Sequence, residues 1–408
     1  MSVPVDADGA ALLRVMDAAL CGSFQGLRRP VQKNLAVLTV TFLRVLGAAR
    51  GGNGRLSLGM LFRVLPTSGT AHAREKRLRR FLENRRLDPR GVTDGLARLI
   101  FGRRGNGLWP ILFDQTKSGA TQALMAGVPF EGRALPLAVY TFDYPWQETG
   151  ARSQNRLEEI FLLDVESALP AGARGVFIGD RGYARAALFR HCGQQDRLFV
   201  IRGRSGTRVE HAGRTCKLGE LRCGRDRPLR YRGVLYQASL RVPVDIVAFH
   251  DPTFEEPWWL VVPPDSEALL PTDTVVALYR ERMHIEHSFR DFKTHLGLRG
   301  LQLQVRVAQR TGRLLLAFCI AYCLALVLGV APEAQQARRD LEIPRRRPRH
   351  GTCRTLSVLS LAMQMLAHPR WRRKAYQRLQ RIAVDLAVGR RVLKRGPPRL
   401  PELAIEAA

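Results

Sequence analysis

The sequence has little cysteine: seven residues in 408, an odd number with no repeated Cys-x-x-Cys pair. This scarcity argues against a disulfide framework and against a zinc ribbon, and it favours free thiols in a reducing compartment. The first ten residues lack the basic stretch and apolar core of a secretory signal. We therefore expect a cytoplasmic protein.

Acidic residues are scarce beside basic ones: 36 Asp and Glu against 65 Lys and Arg give a formal net charge of +29. Such a charge attracts polyanions, and the planar fork of arginine suits phosphate groups. Hydrophobic residues make up 46% of the chain, which supports a packed core and excludes a wholly disordered protein. Arginine richness can also reflect a GC-rich genome, so composition favours a nucleic acid partner without establishing it.

Long hydrophobic runs are nearly absent. The exception, residues 314–332, is long enough to span a bilayer by length and composition. The sequence has no second apolar run of this length, and basic polar segments flank the run on both sides. We expect a helix buried inside a large protein, and no membrane.

The sequence divides into five predicted regions. Residues 1–105 are predicted to be helical, because apolar residues recur at helical spacing in 35–46 and in 56–65, on either side of a glycine-rich turn at 51–54. The regions are a helical N-terminal DNA-binding domain (1–105), the first part of a catalytic core (106–202), a β-rich insertion (203–268), the second part of the core (269–332) and a basic helical C-terminal region (333–408).

A basic amphipathic helix is predicted at 73–82, where five basic residues stand against one acid. An ordinary solvated face would explain the pattern, but this excess favours contact with phosphates. We therefore assign Arg77, Arg79 and Arg80 to DNA binding.

The core has the element order of an RNase H-like α/β fold: three strands, a helix, a strand, a helix and a strand. The predicted strands are residues 108–113, 122–128, 135–142, 175–180 and 197–202. We expect a mixed five-stranded sheet, interrupted by the β-rich insertion. In this fold the first and fourth strands are neighbours.

Three carboxylates suit this arrangement. Asp114 follows the first strand, Asp180 is the last residue of the fourth, and Glu286 lies within a long helix predicted at 272–296. Carboxylates that converge from separate elements are what a pair of hard divalent cations needs. We predict that these three residues are catalytic and bind two Mg²⁺ or Mn²⁺ ions.

The helix places four chemically distinct side chains on one flank. Tyr279, Arg282, Glu286 and Lys293 are separated by three, four and seven positions, which brings them within roughly 60° of one another at 3.6 residues per turn. A mixed charged surface would explain the charges but not the tyrosine. Arg282 and Lys293 are suited to hold phosphates beside metal ions.

This pattern, Tyr279-x₂-Arg282-x₃-Glu286-x₆-Lys293, resembles the YREK signature of DDE transposases of the insertion-sequence-four type. The segments around Asp114 and around Asp180, with its neighbour Arg181, are similar to the first and second aspartate motifs of that family.

The resemblance implies a bacterial transposase that works as a homodimer on double-stranded DNA. Such an enzyme pairs the terminal inverted repeats, cuts the DNA and joins it to a target, and relatives excise through a hairpin. The signature Tyr and basic residues, together with Arg181, would hold the DNA, and either Trp258 or Trp259 would stack on a flipped base. It also implies action in the cytoplasm, on the nucleoid.

Two alternatives stay open. A metal-dependent nuclease or resolvase on the same core would cut DNA without joining it. An inactive, domesticated relative would bind DNA only, although the intact set of three carboxylates, Asp114, Asp180 and Glu286, speaks against it.

Overall fold

The computed structural model describes residues 7–48, 57–102, 107–146, 152–295, 307–349 and 351–389. The predicted turn at 51–54, the last residue of the predicted helix 272–296 and the basic stretch from residue 390 onward lie outside these ranges.

Helices open the described chain, as predicted. They are α1 (Ala7–Ser23), α2 (Arg29–Ala48), α3 (Leu58–Arg63), α4 (Ala71–Glu83) and α5 (Pro89–Phe101). The hydroxyl of Thr70 caps α4, and the carboxylate of Asp88 caps α5, which starts with a proline in its first turn. In α4 the apolar residues Leu78, Phe81 and Leu82 are buried, which confirms the predicted amphipathic helix.

A five-strand sheet with two helices follows. Its elements are β1 (Gly107–Ser118), β2 (Thr121–Phe130), β3 (Arg133–Asp143), α6 (Gln154–Ser167), β4 (Ala173–Gly179), α7 (Ala186–Gln194) and β5 (Leu198–Arg202). The strands lie in the order β3-β2-β1-β4-β5, with β1, β2 and β3 antiparallel and with β4 parallel to both β1 and β5. This order confirms the predicted RNase H-like sheet, with the first and fourth strands adjacent.

The predicted β-rich insertion extends the same sheet. Its strands are β6 (Arg208–His211), β7 (Arg214–Lys217), β8 (Leu229–Tyr236), β9 (Val242–Phe249) and β10 (Trp258–Val262). β10 pairs antiparallel with β5, so the described strands form one sheet of ten. The short hairpin of β6 and β7 was not predicted, because its exposed polar residues lack an apolar alternation.

Helices close the described chain. They are α8 (Thr272–Glu281), α9 (Met283–His295), α10 (Ala308–Gly329), α11 (Pro332–Leu341), α12 (Val358–Ala367) and α13 (Pro369–Ala387). The single helix predicted at 272–296 is wrong in one respect, since the structure divides it at Arg282. There the backbone tightens: the Arg282 amide donates to the carbonyl of Tyr279, and the Ile285 amide donates to that of Arg282.

The apolar run predicted to be buried forms most of α10. By length and composition this helix is able to cross a membrane, yet 89% of its apolar window is buried inside the protein. It packs against β3 of the sheet and against α2 and α12. Helices from the two predicted terminal regions meet as well, because α1 packs against α13. One continuous core therefore joins the sheet to these helices.

Candidate active site

Asp114 lies inside β1 rather than after it. The strand was predicted to end at residue 113, but it continues to Ser118 because β2 keeps pairing with it, including Asp114 opposite Met125. Parallel pairing with β4 stops at Leu112 and Ile178. Asp114 thus stands just beyond the point where β1 and β4 separate. Its carboxylate accepts the backbone amide hydrogen of Gln115 at 2.7 Å.

Asp180 directly follows β4 and starts a short 3-10 turn. Its Oδ1 accepts the amide hydrogen of Gly182 at 2.7 Å. A Cβ at position 182 would lie 2.9 Å from that same oxygen, so glycine allows this close approach. The strands β1 and β4 are adjacent, and Asp114 and Asp180 both lie just beyond the residues at which the pairing of these strands ends.

Glu286 comes from α9 and is connected to Asp114 through Arg282. The Arg282 Nη1 lies 3.4 Å from Asp114 Oδ2, and its Nη2 forms a short ion pair with Glu286 Oε1. Only 11% of the Arg282 side chain is exposed, against 15% of Asp114 and 40% of Glu286. One largely buried guanidinium thus contacts two of the three predicted catalytic carboxylates.

The carboxylates repel one another. Burial, together with the charges of Asp180 and Glu286, raises the pKa of Asp114 to about 7 in spite of the lowering effects of the Gln115 amide and Arg282. This site therefore requires compensating positive charge before all three carboxyls can ionise together.

The donor chemistry fits a hard divalent cation, because the residues supply mutually repelling carboxylate oxygens, those of Asp114 being buried. In the part of the chain that the structure describes, however, no three His, Cys, Asp or Glu side chains are grouped closely enough to hold a metal ion. Arg282 already provides positive charge to Asp114 and Glu286. A metal bound by all three acids requires this guanidinium to withdraw.

The other residues of the predicted signature occupy different surroundings. Tyr279 is only 5% exposed, and burial raises the pKa of its phenol. The ring centroids of Tyr279 and Trp258 lie 4.9 Å apart in an edge-to-face arrangement, so the Tyr279 side chain is enclosed. Lys293 is half-buried, two turns beyond Glu286 on α9.

The structure separates the two adjacent tryptophans. Trp258 is 2% exposed and packs in the core against Tyr279 and Phe254. Trp259 is partly exposed and lines a cleft of about 680 Å³ that also includes Asp180, and its Nε1 donates to the carbonyl of Leu221 at 3.1 Å. Of the two candidates, Trp259 is the one that faces the cleft beside a predicted catalytic residue.

Basic residues surround that cleft. Arg181, Arg202 and Arg204 line it together with Glu256. The Glu256 carboxylate lies 3.2 Å from Arg181 Nη1 and 2.7 Å from Arg202 Nη2. Sequence reasoning identified Arg181 but missed the other three. Arg202 ends β5, the neighbour of β4, so the strand-end argument used for Asp180 would have found it as well.

The basic helix α4 is only partly available for DNA. Arg77 donates from Nε to Asn34 at 2.9 Å, and burial lowers its pKa. Arg79 pairs with Glu75 at 2.8 Å, whereas Arg80 is exposed. Arg74, another of the five basic residues at 73–82, is 5% exposed and donates to the carbonyl of Arg63. The helix thus offers fewer phosphate contacts than its composition suggests.

A comparison with protein families assigns part of this architecture. Residues 157–324 match the family described as the transposase DDE domain. The matched segment includes Asp180 and Glu286 and begins after Asp114. This match supports a DDE transposase.

Comparison with curated proteins finds no match in sequence. Among solved structures, the chain is similar to the piggyBac transposase in a cryo-EM structure of its synaptic complex with hairpin DNA. The TM-score is 0.42 with 10% sequence identity, and the alignment covers 92% of this chain and 82% of that one.

Proposed function

We propose that the protein is the transposase of a bacterial insertion sequence, which cuts DNA at the element's ends and joins it to a target. One observation carries the proposal: Asp114 and Asp180 lie just beyond the end of the pairing between the adjacent strands β1 and β4, and Arg282 connects Asp114 to Glu286 on a helix far along the chain. The family match over residues 157–324 supports the same reading. The finer assignment to the insertion-sequence-four type rests on the spacing of the signature residues.

Asp114, Asp180 and Glu286 are the residues that would hold the metal, two Mg²⁺ or Mn²⁺ ions in this proposal. When bound, the ions would supply activation of a water or 3′-hydroxyl and stabilisation of the leaving oxygen during in-line displacement at phosphorus. The contribution of the chain is then positioning and charge. Burial keeps the Asp114 carboxylate largely out of bulk water, and charges interact more strongly there than in water.

The DNA strand is held by neighbouring cationic residues in this proposal. Arg282, once released from the carboxylates, and Lys293 would contact phosphates beside the reacting bond. Arg181 and Arg202 would bind a phosphate in the cleft at Asp180, where Glu256 now neutralises them. Trp259 lines the same cleft and offers a stacking surface to an unpaired base.

The wider organisation follows from the same proposal. The region 1–105 binds the terminal inverted repeats, with Arg80 of α4 exposed toward solvent. The protein acts in the cytoplasm on the nucleoid, and a homodimer pairs the two ends.

The deciding experiment incubates the purified protein and Mg²⁺ with a labelled duplex that carries the element's own end. Strand-transfer products, beside nicked, hairpin or blunt-cut DNA, would support a transposase. Cleavage without any joined product would instead favour a nuclease or resolvase.

The carboxylate assignment is tested in the same assay. Asp114→Ala, Asp180→Ala and Glu286→Ala should each lower cleavage by about 10³-fold or more while end binding persists, because metal-ion stabilisation contributes several kcal/mol. Asp226→Asn, at an exposed position of the insertion, is the matched control and should cleave normally. Retained cleavage in any of the three alanine variants would refute its catalytic role.

A further inference from the structure

A loop between α11 and α12 carries an unusual density of arginine. It contains no acid from Ile343 to Thr355. Its exposed arginines are Arg345, Arg346, Arg347, Arg349 and Arg354, hereafter the arginine loop. Prolines at 344 and 348 flank the first three and restrict their backbone, which favours an extended segment.

Glu342, at the start of the arginine loop, binds the residues at the end of the loop. This carboxylate accepts the amide hydrogens of Thr355 at 2.5 Å and Leu356 at 2.7 Å, and it pairs with Arg338 at 2.7 Å. Burial alone would raise the pKa of Glu342, but these hydrogen bonds lower it to about 2. The carboxylate is therefore charged at all physiological pH values and fixes both ends of the loop.

The loop is also closed across its middle. The Arg345 amide donates to the carbonyl of Cys353 at 2.7 Å, and Arg349 and Thr352 exchange backbone hydrogen bonds. An ordered backbone presents its side chains at lower entropic cost on binding than a flexible tail does.

Several surface arginines elsewhere in the described chain pair with carboxylates. Arg29 pairs with Asp17, Arg232 with Glu267 and Arg241 with Glu210. In the arginine loop, by contrast, five arginines lie within ten positions and none has a side-chain partner among the described residues. Five uncompensated charges on an ordered loop repel one another, and a polyanion removes that repulsion.

We propose that the arginine loop binds the sugar–phosphate backbone of duplex DNA and forms a contact additional to the carboxylate site and its cleft. The inference rests on the proposed action on DNA. Planar guanidinium groups suit phosphate oxygens, and backbone contacts carry no sequence information. Ile343, which is 86% exposed at the start of the loop, adds an apolar surface that can pack on the sugars.

The test compares wild type with the triple variant Arg345→Ala, Arg346→Ala, Arg347→Ala. Binding to an end duplex and to an unrelated duplex of equal length is measured at several salt concentrations. The slope of log affinity against log salt should fall in magnitude by about 3, because each phosphate contact contributes about 0.9. Affinity should fall equally for both duplexes, and a fall confined to the end duplex would overturn a backbone contact.

A second triple variant matches the change in charge. Arg29→Ala, Arg232→Ala, Arg241→Ala removes three arginines that already pair with acids, so its salt slope should stay near that of wild type. Thermal unfolding of each variant confirms folding. An arginine-loop variant that is folded and has the wild-type slope refutes the proposal, and so does an equal fall in both triples.

The arginine-loop proposal and the proposed transposase function can fail independently of each other in these experiments. A wild-type protein that binds duplexes but neither cuts nor joins them defeats the transposase assignment while leaving the salt-slope result intact. A wild-type protein that cuts and joins, with an unchanged slope in the arginine-loop triple, defeats the arginine loop alone. If the loop instead serves an acidic protein partner, the DNA slopes of wild type and triple will coincide.

Discussion

Arg282 Nη1 lies 3.4 Å from Asp114 Oδ2, although 168 positions separate the two residues in the chain. The contact brings a helix of the second core segment onto the first strand of the sheet. It also places a permanent positive charge against a carboxylate that is proposed to bind metal. Arg282 therefore competes with a divalent cation for Asp114, and also for Glu286.

Arg282→Ala should raise the affinity of the DNA-free protein for Mn²⁺ by about tenfold or more. A unit charge about 4 Å from a carboxylate interacts by up to about 4 kcal/mol at an effective dielectric constant of 20, and about 1.4 kcal/mol corresponds to a factor of ten. DNA cleavage should nevertheless fall, because a phosphate contact is lost. Titration calorimetry with Mn²⁺ measures the first effect, and a cleavage assay the second.

The control for Arg282 comes from the same helical segment. Arg280 pairs with Asp251 at 2.9 Å, and Arg280→Ala removes the same charge without touching the carboxylates of the site. Its Mn²⁺ affinity should match that of wild type. Unchanged or weaker Mn²⁺ binding in Arg282→Ala would contradict the competition.

Asp114 predicts a pH-dependent stability of the metal-free protein. Its folded-state pKa of about 7 lies above the ordinary value of 3.8, so the folded protein retains a proton that the unfolded chain releases. The protonated Asp114 carboxyl therefore makes its full contribution to the stability of the folded state below about pH 4, and this contribution is lost as the pH rises through 7. Asp114→Asn carries no such charge, so its stability advantage over wild type should grow across this range, up to a few kcal/mol.

Urea unfolding in EDTA at pH 4, 6 and 8 measures this difference. Asp226→Asn serves as the control and should follow wild type at each pH, since its carboxylate is exposed. Added Mg²⁺ should raise the unfolding free energy of the wild type at pH 8, and it should have a smaller effect on that of Asp114→Asn. A constant difference between wild type and Asp114→Asn at all three pH values would exclude a raised pKa at this site.

Glu256 shields two arginines of the cleft from DNA. Glu256→Gln removes this carboxylate and frees Arg181 and Arg202 to contact phosphates. Duplex affinity should then rise by about 2- to 10-fold, and the slope of log affinity against log salt should steepen by about 1 to 2. Fluorescence anisotropy at several salt concentrations provides the measurement. Glu255→Gln changes the same charge at the neighbouring exposed position and should produce a smaller effect. Equal effects of the two variants would show that net charge, rather than the cleft, is responsible.

The two tryptophans should respond differently to truncation. Trp258→Ala empties a site in the core and should cost about 3–5 kcal/mol of unfolding free energy. Trp259→Ala should cost less, because Trp259 is only partly buried, but it should lose activity on DNA ends, since this residue lines the cleft at Asp180. Chemical denaturation and the cleavage assay together separate the two effects. Full activity in Trp259→Ala would argue for a structural role only.

Local signals in the sequence were sufficient for most elements. Apolar periodicity identified the core strands, the amphipathic helix α4 and the buried helix α10, because each pattern repeats at the spacing of its own secondary structure. The order of those elements also indicated that Asp114 and Asp180 would follow adjacent strands. The spacing of Tyr279, Arg282, Glu286 and Lys293 singled out the helix that carries Glu286.

Tertiary structure decided the remainder. Strand β1 continues past Asp114 because β2 pairs with it, and the contact of Arg282 with Asp114 depends on how α8 and α9 pack on the sheet. Burial separated Trp258 from Trp259. These outcomes depend on contacts between residues distant in the chain, whereas the element types depend on neighbours a few residues apart.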